Sequence, residues 1–334
     1  MRCSRVLALV LMASVEAGLV GLASDVRAQA NADQVLAKLG FSADDKERVL
    51  NGEYVSAKIA PVSERDLTFA VAFLVKRSPE AISQEIMAGN LVTADAQVQR
   101  YGKLSEPGSL ADLAELQITR EEANALWRAE SGGKVNLSVG EIAAFKAEPS
   151  AAVQEIRQQL HRTLLARYQA YRSSGLDGIA PYDRASKGAT DVASDLRKAT
   201  QAASALQEYL PALHAVLLGF PKVTVPGMEQ QFFWLKSIIR GKPTYVLTHL
   251  LVASDGAARA LVRREFYVST AYNCEQSIAG FLPVEGGTIV VYTSHAFTDQ
   301  VAGTGGSIKR SIGSRVMADQ MQEMFEAGRK QIER

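Results

Sequence analysis

The stretch "GGTIVVYTSHAFTDQVAGTGGSIKRSIGSRVMADQMQEMF", residues 286–325, decides the fold, because a strand pattern passes directly into a helix pattern. Its first part follows a Glu-Gly-Gly turn and is rich in β-branched and aromatic side chains, which is typical of a strand. Its last part has the period of an amphipathic helix, and that pattern continues beyond residue 325. The sequence therefore predicts a final strand followed by one long terminal helix.

The glycine-rich segment between the two, residues 303–315, has the look of a phosphate-binding loop. A P-loop needs Gly-Lys-Ser or Gly-Lys-Thr, whereas here Lys309 follows Ile308 and precedes Arg310. Too little chain follows for the parallel sheet that surrounds a nucleotide. The segment therefore indicates a bend that returns the helix onto the sheet. A weaker alternative is an acidic group held at the helix start by Ser307, Lys309 and Arg310.

The terminal helix is predicted to have one apolar side and one charged side. At the helical period, Met317, Met321 and Met324 fall together, opposite Asp319 and Glu323. Methionine is unbranched and polarisable, so it adapts to irregular apolar shapes. The stripe has two interpretations: it lines a cavity for an apolar ligand, or it packs on the sheet as ordinary core.

The order of the predicted elements indicates the fold class. Strands and a helix occupy residues 31–105, helical patterns dominate residues 106–220, and strands return in residues 221–334 before the terminal helix. Runs of strands without alternating helices favour an antiparallel sheet. We expect an α+β fold in which an antiparallel sheet grips the C-terminal helix, with residues 106–220 as a large helical insertion.

Residues 1–30 have the layout of a secretory signal peptide. Basic residues precede an apolar run, and Ala28 and Ala30 fit an A-x-A cleavage site. Glu16 interrupts the run and argues against a retained membrane span, the alternative being an uncleaved anchor. No later segment is long and apolar enough to span a membrane. We expect an exported protein, periplasmic or secreted, whose mature chain starts near Asn31.

Composition disfavours several functions. The chain has 37 Lys and Arg against 36 Asp and Glu, and without residues 1–30 it stays close to neutral, which disfavours nucleic-acid binding. Cys274 is the only cysteine after residue 30, so an intramolecular disulfide is not expected. Zinc-binding and serine-nucleophile motifs are missing from the sequence. The sequence therefore predicts no metal and no cofactor, and it identifies no catalytic residue.

Histidine and tyrosine side chains on the predicted strands are candidates for a ligand site. Strand alternation places Tyr245 and His249 on one face, and it places His295 on one face with apolar neighbours. Such side chains can orient a polar head group or act in acid–base chemistry. The alternative is a core histidine satisfied by one hydrogen bond.

A second set of polar residues alternates along one predicted strand. Arg263, Glu265 and Tyr267 alternate onto one face of it. They form either a buried polar network or a solvated strand face, and the sequence leaves both alternatives open.

The stretch "FAVAFLVKRSPEAISQEI", residues 69–86, adds to the pattern of residues 286–325. A strand running into a helix that starts at Ser-Pro, an antiparallel sheet and a long final helix resemble the START/polyketide-cyclase-like (SRPBCC, helix-grip) superfamily, which includes the pollen-allergen-like proteins. The resemblance covers residues 53–89 and 230–333, whereas residues 106–220 replace a connection that is shorter in the family. It implies a cavity for a lipid or aromatic molecule, used for transfer in some members and for cyclase or hydrolase chemistry in others.

We therefore expect an exported protein that binds or carries a hydrophobic, lipid-like molecule between the sheet and the terminal helix. The first alternative is an enzyme of the same fold acting on a hydrophobic substrate. The second is an envelope scaffold without a cavity, in which residues 106–220 bind a protein partner. The residues predicted to contact the ligand are Tyr245, His249, Tyr267, His295, Met317, Met321 and Met324.

Overall fold

The computed structural model describes residues 32–90, 92, 95–303 and 305–333. The predicted signal peptide, residues 1–30, lies outside the described residues. The fold is mixed helix and sheet, with a large antiparallel sheet and a long C-terminal helix, which confirms the α+β class.

The elements follow the order predicted from the sequence. The described helices are α1 (32–38), α2 (Ala43–Leu50), α3 (Pro79–Ala88), α4 (Arg120–Trp127), α5 (Val139–Lys146), α6 (Val153–Ser174), α7 (Val192–Ala202), α8 (Ser204–Tyr209), α9 (Pro211–Gly219) and α10 (Gly306–Ile332). The described strands are β1 (Val55–Ala57), β2 (Asp66–Val75), β3 (Val98–Lys103), β4 (Tyr182–Asp183), β5 (Ala189–Thr190), β6 (Glu229–Ile239), β7 (Lys242–Asp255), β8 (Ala258–Val268), β9 (Cys274–Val284) and β10 (Gly287–Phe297).

Eight of these strands form one antiparallel sheet in the order β1-β2-β10-β9-β8-β7-β6-β3. Strands β6 to β10 form a meander of consecutive neighbours, and β6 and β7 meet in the predicted hairpin. The early strand β2 pairs along its whole length with the last strand, from Asp66 opposite Phe297 to Val75 opposite Thr288. The N-terminal and C-terminal parts of the chain therefore build one sheet.

Local sequence explains where the helices of the middle segment begin. Helix α4 starts with a capping box between Thr119 and Glu122, and α5 starts with the same arrangement between Ser138 and Glu141. Each box satisfies two backbone N–H groups that the first helical turn leaves without partners. These starts agree with the sequence pattern.

The middle segment covers one face of the sheet, which we call the back face. Strand residues such as Trp234, Leu247 and Phe266 form a buried cluster with helix α6, whose Leu160 and Tyr171 face them. Burial of large apolar side chains on this scale dominates folding stability. The middle segment therefore buries the back face of the central strands.

Helix α10 crosses the opposite face, which we call the cavity face. A Cβ at Gly313 would lie 2.9 Å from Leu67 Cδ2, so the helix approaches β2 closely near its start. The backbone N–H of Thr68 donates to Ser314 Oγ at 3.0 Å, and Arg77 Nε donates to the Ile332 carbonyl oxygen at 2.7 Å. Both ends of α10 are thus held against β2.

The glycine-rich segment before α10 makes a turn. Gly303 and Gly305 have φ angles of 79° and 74°, in the left-handed region that favours glycine. The Gly306 N–H donates to the Gly303 carbonyl oxygen at 2.8 Å, directly before the helix. This geometry agrees with the bend predicted for residues 303–315. None of the helices in the described ranges is both long and apolar enough to cross a membrane.

Candidate ligand cavity

A cavity of about 490 Å³ lies between the cavity face of the sheet and helices α3 and α10. Its wall is mostly apolar, and α3 contributes Ile82 and Ile86 to it. The strands contribute side chains that include Phe233, Leu250, Leu261, Phe281 and Val290. Ligand sites in proteins span roughly 300–1,000 Å³, so this volume suits a small molecule.

The three methionines of α10 lie where the cavity is. Met317, Met321 and Met324 all contribute to its lining. Next to them, the Phe325 ring packs on Phe73, with 5.0 Å between ring centroids. The helix therefore closes the cavity with flexible apolar side chains, and direct contact of these methionines with a ligand stays a prediction.

Tyr245 and His249 lie on the back face, away from the cavity. Tyr245 belongs to the cluster that the middle segment buries. The His249 ring stacks on Phe232, with 4.1 Å between centroids. Its Nδ1 accepts from the Tyr171 hydroxyl at 3.1 Å, and its Nε2 donates to Gln230 Oε1 at 3.0 Å. The prediction that Tyr245 and His249 face the cavity is wrong.

Burial and the neighbouring cations keep His249 neutral. Desolvation lowers the pKa of His249 well below its usual value, and the positive charges of Arg264 and Arg172 lower it further. A neutral imidazole with both nitrogens hydrogen-bonded is a structural group rather than an acid–base group. The alternative of a satisfied core histidine therefore describes His249.

Tyr267 is also on the back face, for a different reason. The pairing of β7 with β8 shifts between Leu247–Tyr267 and Thr248–Glu265, so Phe266 is an extra, bulged residue. A bulge interrupts strict alternation, and here it turns both Phe266 and Tyr267 to the back face. Arg263 and Glu265, before the bulge, face the cavity. The prediction that Tyr267 shares their face is wrong.

His295 is on the back face as well. Its Nδ1 lies 2.8 Å from Asp66 Oδ2, on the neighbouring strand β2. Asp66 Oδ2 also accepts from the backbone N–H of Val62 at 2.8 Å. His295 therefore ties β10 to β2 and the segment before it, and the prediction that it faces the cavity is wrong.

A group of polar side chains faces the cavity, and we call it the cavity cluster: Arg263, Glu265, Tyr272, Glu275 and Tyr292. Arg263 Nη2 lies 3.5 Å from Glu265 Oε1 and 3.6 Å from Glu275 Oε1. The Tyr272 hydroxyl donates to Glu265, and the Tyr292 hydroxyl donates to Glu275 Oε1 at 3.3 Å. Arg263 and Glu265 therefore belong to a polar network at the cavity, in which Glu265 is buried and Arg263 is partly accessible.

Sequence reasoning missed the other members of the cavity cluster. Glu275 follows Cys274 at the start of β9 and alternates with Ser277 and Ala279 on the cavity face. Tyr272 lies in the loop between β8 and β9. The alternation of β9 was a usable pattern for Glu275, whereas nothing in the sequence indicates which way a loop tyrosine points.

The cavity cluster has unusual electrostatics. Burial raises the pKa of Glu265 to about 7, the Arg263 guanidinium lowers it, and the Glu275 carboxylate raises it. Burial likewise raises the pKa of Tyr272 well above its usual value, and both glutamates reinforce this. A carboxyl group that titrates near neutral pH inside a cavity marks a candidate functional site.

Other chemistry is not assembled in the described ranges of the chain. They contain no group of three or more His, Cys, Asp and Glu side chains arranged to hold a metal ion. Cys274 is buried, and desolvation raises the pKa of its thiol well above the usual value. A buried thiol of this kind is inert. The cavity cluster is therefore the chemically distinctive feature of this site.

Comparisons with known proteins do not assign the chain to a family. No protein-family model and no curated protein matches the chain. Among solved structures, the crystal structure of Ara h 8.0201 is similar, with 14% sequence identity and a TM-score of 0.22 over 42% of this chain and 88% of that chain. A likeness at this TM-score carries no argument about function, and membership of the START-like superfamily stays a prediction.

Proposed function

We propose that this protein binds a hydrophobic small molecule in the cavity and carries it through an aqueous compartment. The observation that supports this proposal is the mostly apolar cavity of about 490 Å³ between the sheet and α10. Apolar ligand surface removed from water contributes roughly 25 cal/mol per Å². The proposal requires no reaction, because burial alone provides the driving force.

The volume of the cavity also favours a bound molecule. Well-packed protein interiors leave few spaces larger than a water molecule, and empty space costs stability in proportion to its volume. A large apolar cavity is therefore retained where it has a use. The cavity favours the binding proposal over the scaffold alternative, which assumed an interior without one.

The proposal is tested by filling the cavity with a side chain. Ala279 lines the cavity from β9, so Ala279→Trp places an indole in it. The matched control is Ala327→Trp, on the exposed side of α10. We expect wild type and the control to bind the neutral apolar dye N-phenyl-1-naphthylamine with similar affinity, and Ala279→Trp to lose at least about tenfold. Equal dye affinity in all three proteins would show that the dye binds outside the cavity.

A natural ligand is sought by purifying the protein from its own host under mild conditions. Extraction with organic solvent and mass spectrometry then identify any bound compound. We expect one hydrophobic compound in about equimolar amount with wild type, and much less with Ala279→Trp. An empty wild-type protein that nevertheless binds the dye would argue against a tightly held cargo.

Export is a separate part of the proposal, and it rests on the pattern of residues 1–30. The test is the intact mass and N-terminal sequence of protein recovered from outside the cytoplasm. We expect a mature chain that starts near Asn31. A full-length chain recovered from the cytoplasm would contradict export while leaving the cavity proposal standing.

A second candidate function is an acid–base enzyme, and one observation favours it. Glu265 combines a pKa of about 7 with a place in the cavity, where a general acid or base would contact a substrate. The test incubates the extracted compound with fresh wild type and with Glu265→Gln. Conversion by wild type that is lost in the variant supports the enzyme, whereas an unchanged compound in both samples supports the carrier.

A further inference from the structure

The Arg263 guanidinium is unusual because it makes no hydrogen bond within the part of the chain that the structure describes. Its closest carboxylate contacts, at 3.5 and 3.6 Å, are ion pairs outside hydrogen-bonding geometry. Its side chain is 36% accessible, and it belongs to the cavity lining. The unfilled N–H donors therefore face the cavity.

The side chains around Arg263 are much less accessible. Glu265 and Glu275 expose 5% and 12% of their side chains. Thr248 is paired with Glu265 in the β7–β8 register, lines the cavity and has a buried hydroxyl without a partner in the described residues. Within the cavity cluster, Arg263 thus offers accessible N–H donors to a ligand.

Donors without acceptors select the chemistry of the ligand. A guanidinium is a rigid planar fork that matches a carboxylate or a phosphate with two parallel hydrogen bonds. Of the two, the singly charged carboxylate is better suited to a site that already holds Glu265 and Glu275. The apolar wall around it, from Phe281, Leu261 and Leu250, suits a hydrocarbon chain. Together, the guanidinium and the apolar wall suit an amphiphile with a carboxylate at one end.

The charges around Glu265 impose a second condition. They come from Arg263 on the same strand, Glu275 on β9 and Asp95 before β3, while the neutral Tyr272 hydroxyl donates a hydrogen bond to Glu265. A third carboxylate beside two ionised glutamates and one arginine would be repelled. The repulsion is relieved when one glutamate takes up a proton.

We propose that the cavity recognises the carboxylate of an amphiphilic ligand through Arg263, with Glu265 taking up one proton as the carboxylate binds. This inference rests on the proposed function, because it names the ligand class of the same cavity. The proton comes from solvent, and no covalent bond forms or breaks. Glu265 suits this role, since its pKa of about 7 makes the proton available at neutral pH.

The coupling has a defined sign. An anion next to Glu265 raises its pKa further, so the bound state holds more protons than the free state. Affinity is then constant well below pH 7 and falls as pH rises, by at most about tenfold per pH unit for one proton. The fall ends where Glu265 is ionised in both states.

The test compares three probes with the same chain and different head groups: dodecanoate, dodecan-1-ol and dodecylammonium. Displacement of N-phenyl-1-naphthylamine gives their affinities. For wild type at neutral pH, we expect dodecanoate to bind most tightly and dodecylammonium least tightly. Arg263→Met should lose about tenfold or more for dodecanoate, and much less for dodecan-1-ol.

The matched control for Arg263 is Arg100→Met, because Arg100 is an exposed arginine on β3 that does not belong to the cavity lining. We expect this control to bind dodecanoate like wild type. If Arg100→Met loses the carboxylate preference and Arg263→Met keeps it, the assignment to Arg263 is overturned. Circular dichroism checks that both variants fold.

Glu265→Gln keeps Arg263 in place and tests the proton separately. From about pH 6.5 to about pH 9, wild-type affinity for dodecanoate should fall with pH, while Glu265→Gln should bind with nearly constant affinity. Equal pH dependence in both proteins overturns the coupling. This measurement tests proton uptake by Glu265 even if Arg263→Met fails to fold.

Failure of this inference differs from failure of the proposed function. If dodecan-1-ol binds wild type as tightly as dodecanoate does and neither responds to Arg263→Met, the carboxylate assignment falls and the cavity still binds apolar chains. If neither the dye nor any of the three probes binds wild type, the proposed function itself falls.

Discussion

The two faces of the central sheet are built from the same strands and differ in what covers them. The back face carries helices from the middle segment, whose Tyr168 and Tyr171 pack into one buried cluster with strand residues such as Trp234. The cavity face carries α3 and α10, and a space of about 490 Å³ remains beneath them. Both faces carry apolar side chains, and the cavity lies on the face that α3 and α10 cover.

Two neighbouring arginines on β8 show a second difference between the faces. On the back face, Arg264 donates to Gln276 and Thr200, and the Tyr171 hydroxyl joins it to His249. On the cavity face, the donors of Arg263 make no hydrogen bond in the described part of the chain. The Arg263 side chain is 36% accessible whereas Arg264 is buried, so of these two arginines Arg263 is the one that a ligand or solvent can reach.

The largest expected effect compares two leucines on the same strand. Leu247 is fully buried on the back face, and Leu250 is buried at the wall of the cavity. We expect Leu247→Ala to lower the free energy of unfolding by about 4 kcal/mol and Leu250→Ala by about 2 kcal/mol, because Leu250 already borders empty space. Urea denaturation measures both values, and equal losses would break the distinction between the faces.

The next effect concerns an ion pair buried under the middle segment. Lys236 Nζ donates to Glu122 Oε2 at 2.8 Å, and both side chains are almost fully buried. Glu122→Gln leaves the ammonium without its counter-charge and should lower the free energy of unfolding by about 3 kcal/mol. The control is Glu53→Gln, which removes an exposed partner of Arg48 and should cost less than about 0.5 kcal/mol.

A pH experiment addresses the cavity face. The folded state raises the pKa of Glu265 to about 7, so the stability linked to its neutral form is fully present below the unfolded pKa and is lost as pH rises through 7. Relative to wild type, Glu265→Gln should gain about 2 kcal/mol between pH 5 and pH 8. The control Glu285→Gln, in an exposed turn, should track wild type at each pH. A constant difference between wild type and Glu265→Gln would contradict the raised pKa.

The smallest expected effect is on ligand binding by a back-face variant. His249→Phe keeps an aromatic ring against Phe232 and removes two hydrogen bonds far from the cavity lining. It should cost about 1–3 kcal/mol of stability and change the affinity for N-phenyl-1-naphthylamine less than twofold. A loss of dye affinity similar to that of Ala279→Trp would show that the back face participates in binding.

Residue patterns predicted much of the architecture because they act locally. Capping boxes located the starts of α4 and α5, and alternation placed Arg263 and Glu265 on one face. Alternation failed for Tyr267, because a bulge at Phe266 depends on how two strands pair. A bulge of that kind gives no periodic pattern that can be recognised in a single sequence.

Side-chain size indicates which face of a strand is buried, but it does not indicate where a ligand binds. Tyr245 and His249 share a face with long apolar residues, which is typical of a buried face, and that face is indeed buried. A ligand site, however, depends on space between elements distant in the chain. The cavity cluster assembles residues of β8, β9, β10 and a loop, and their proximity follows from strand order alone.

Local patterns in the sequence were thus enough to predict the α+β class, the long amphipathic terminal helix and its methionine stripe. Periodicity and capping arise from backbone geometry within a few residues, so they are readable without a structure. Which face of the sheet holds the cavity depended on the packing of residues 106–220 and of α10 against the strands. That packing depends on contacts between elements far apart in the chain, and a sheet buried on both sides shows the same apolar pattern whichever side is hollow.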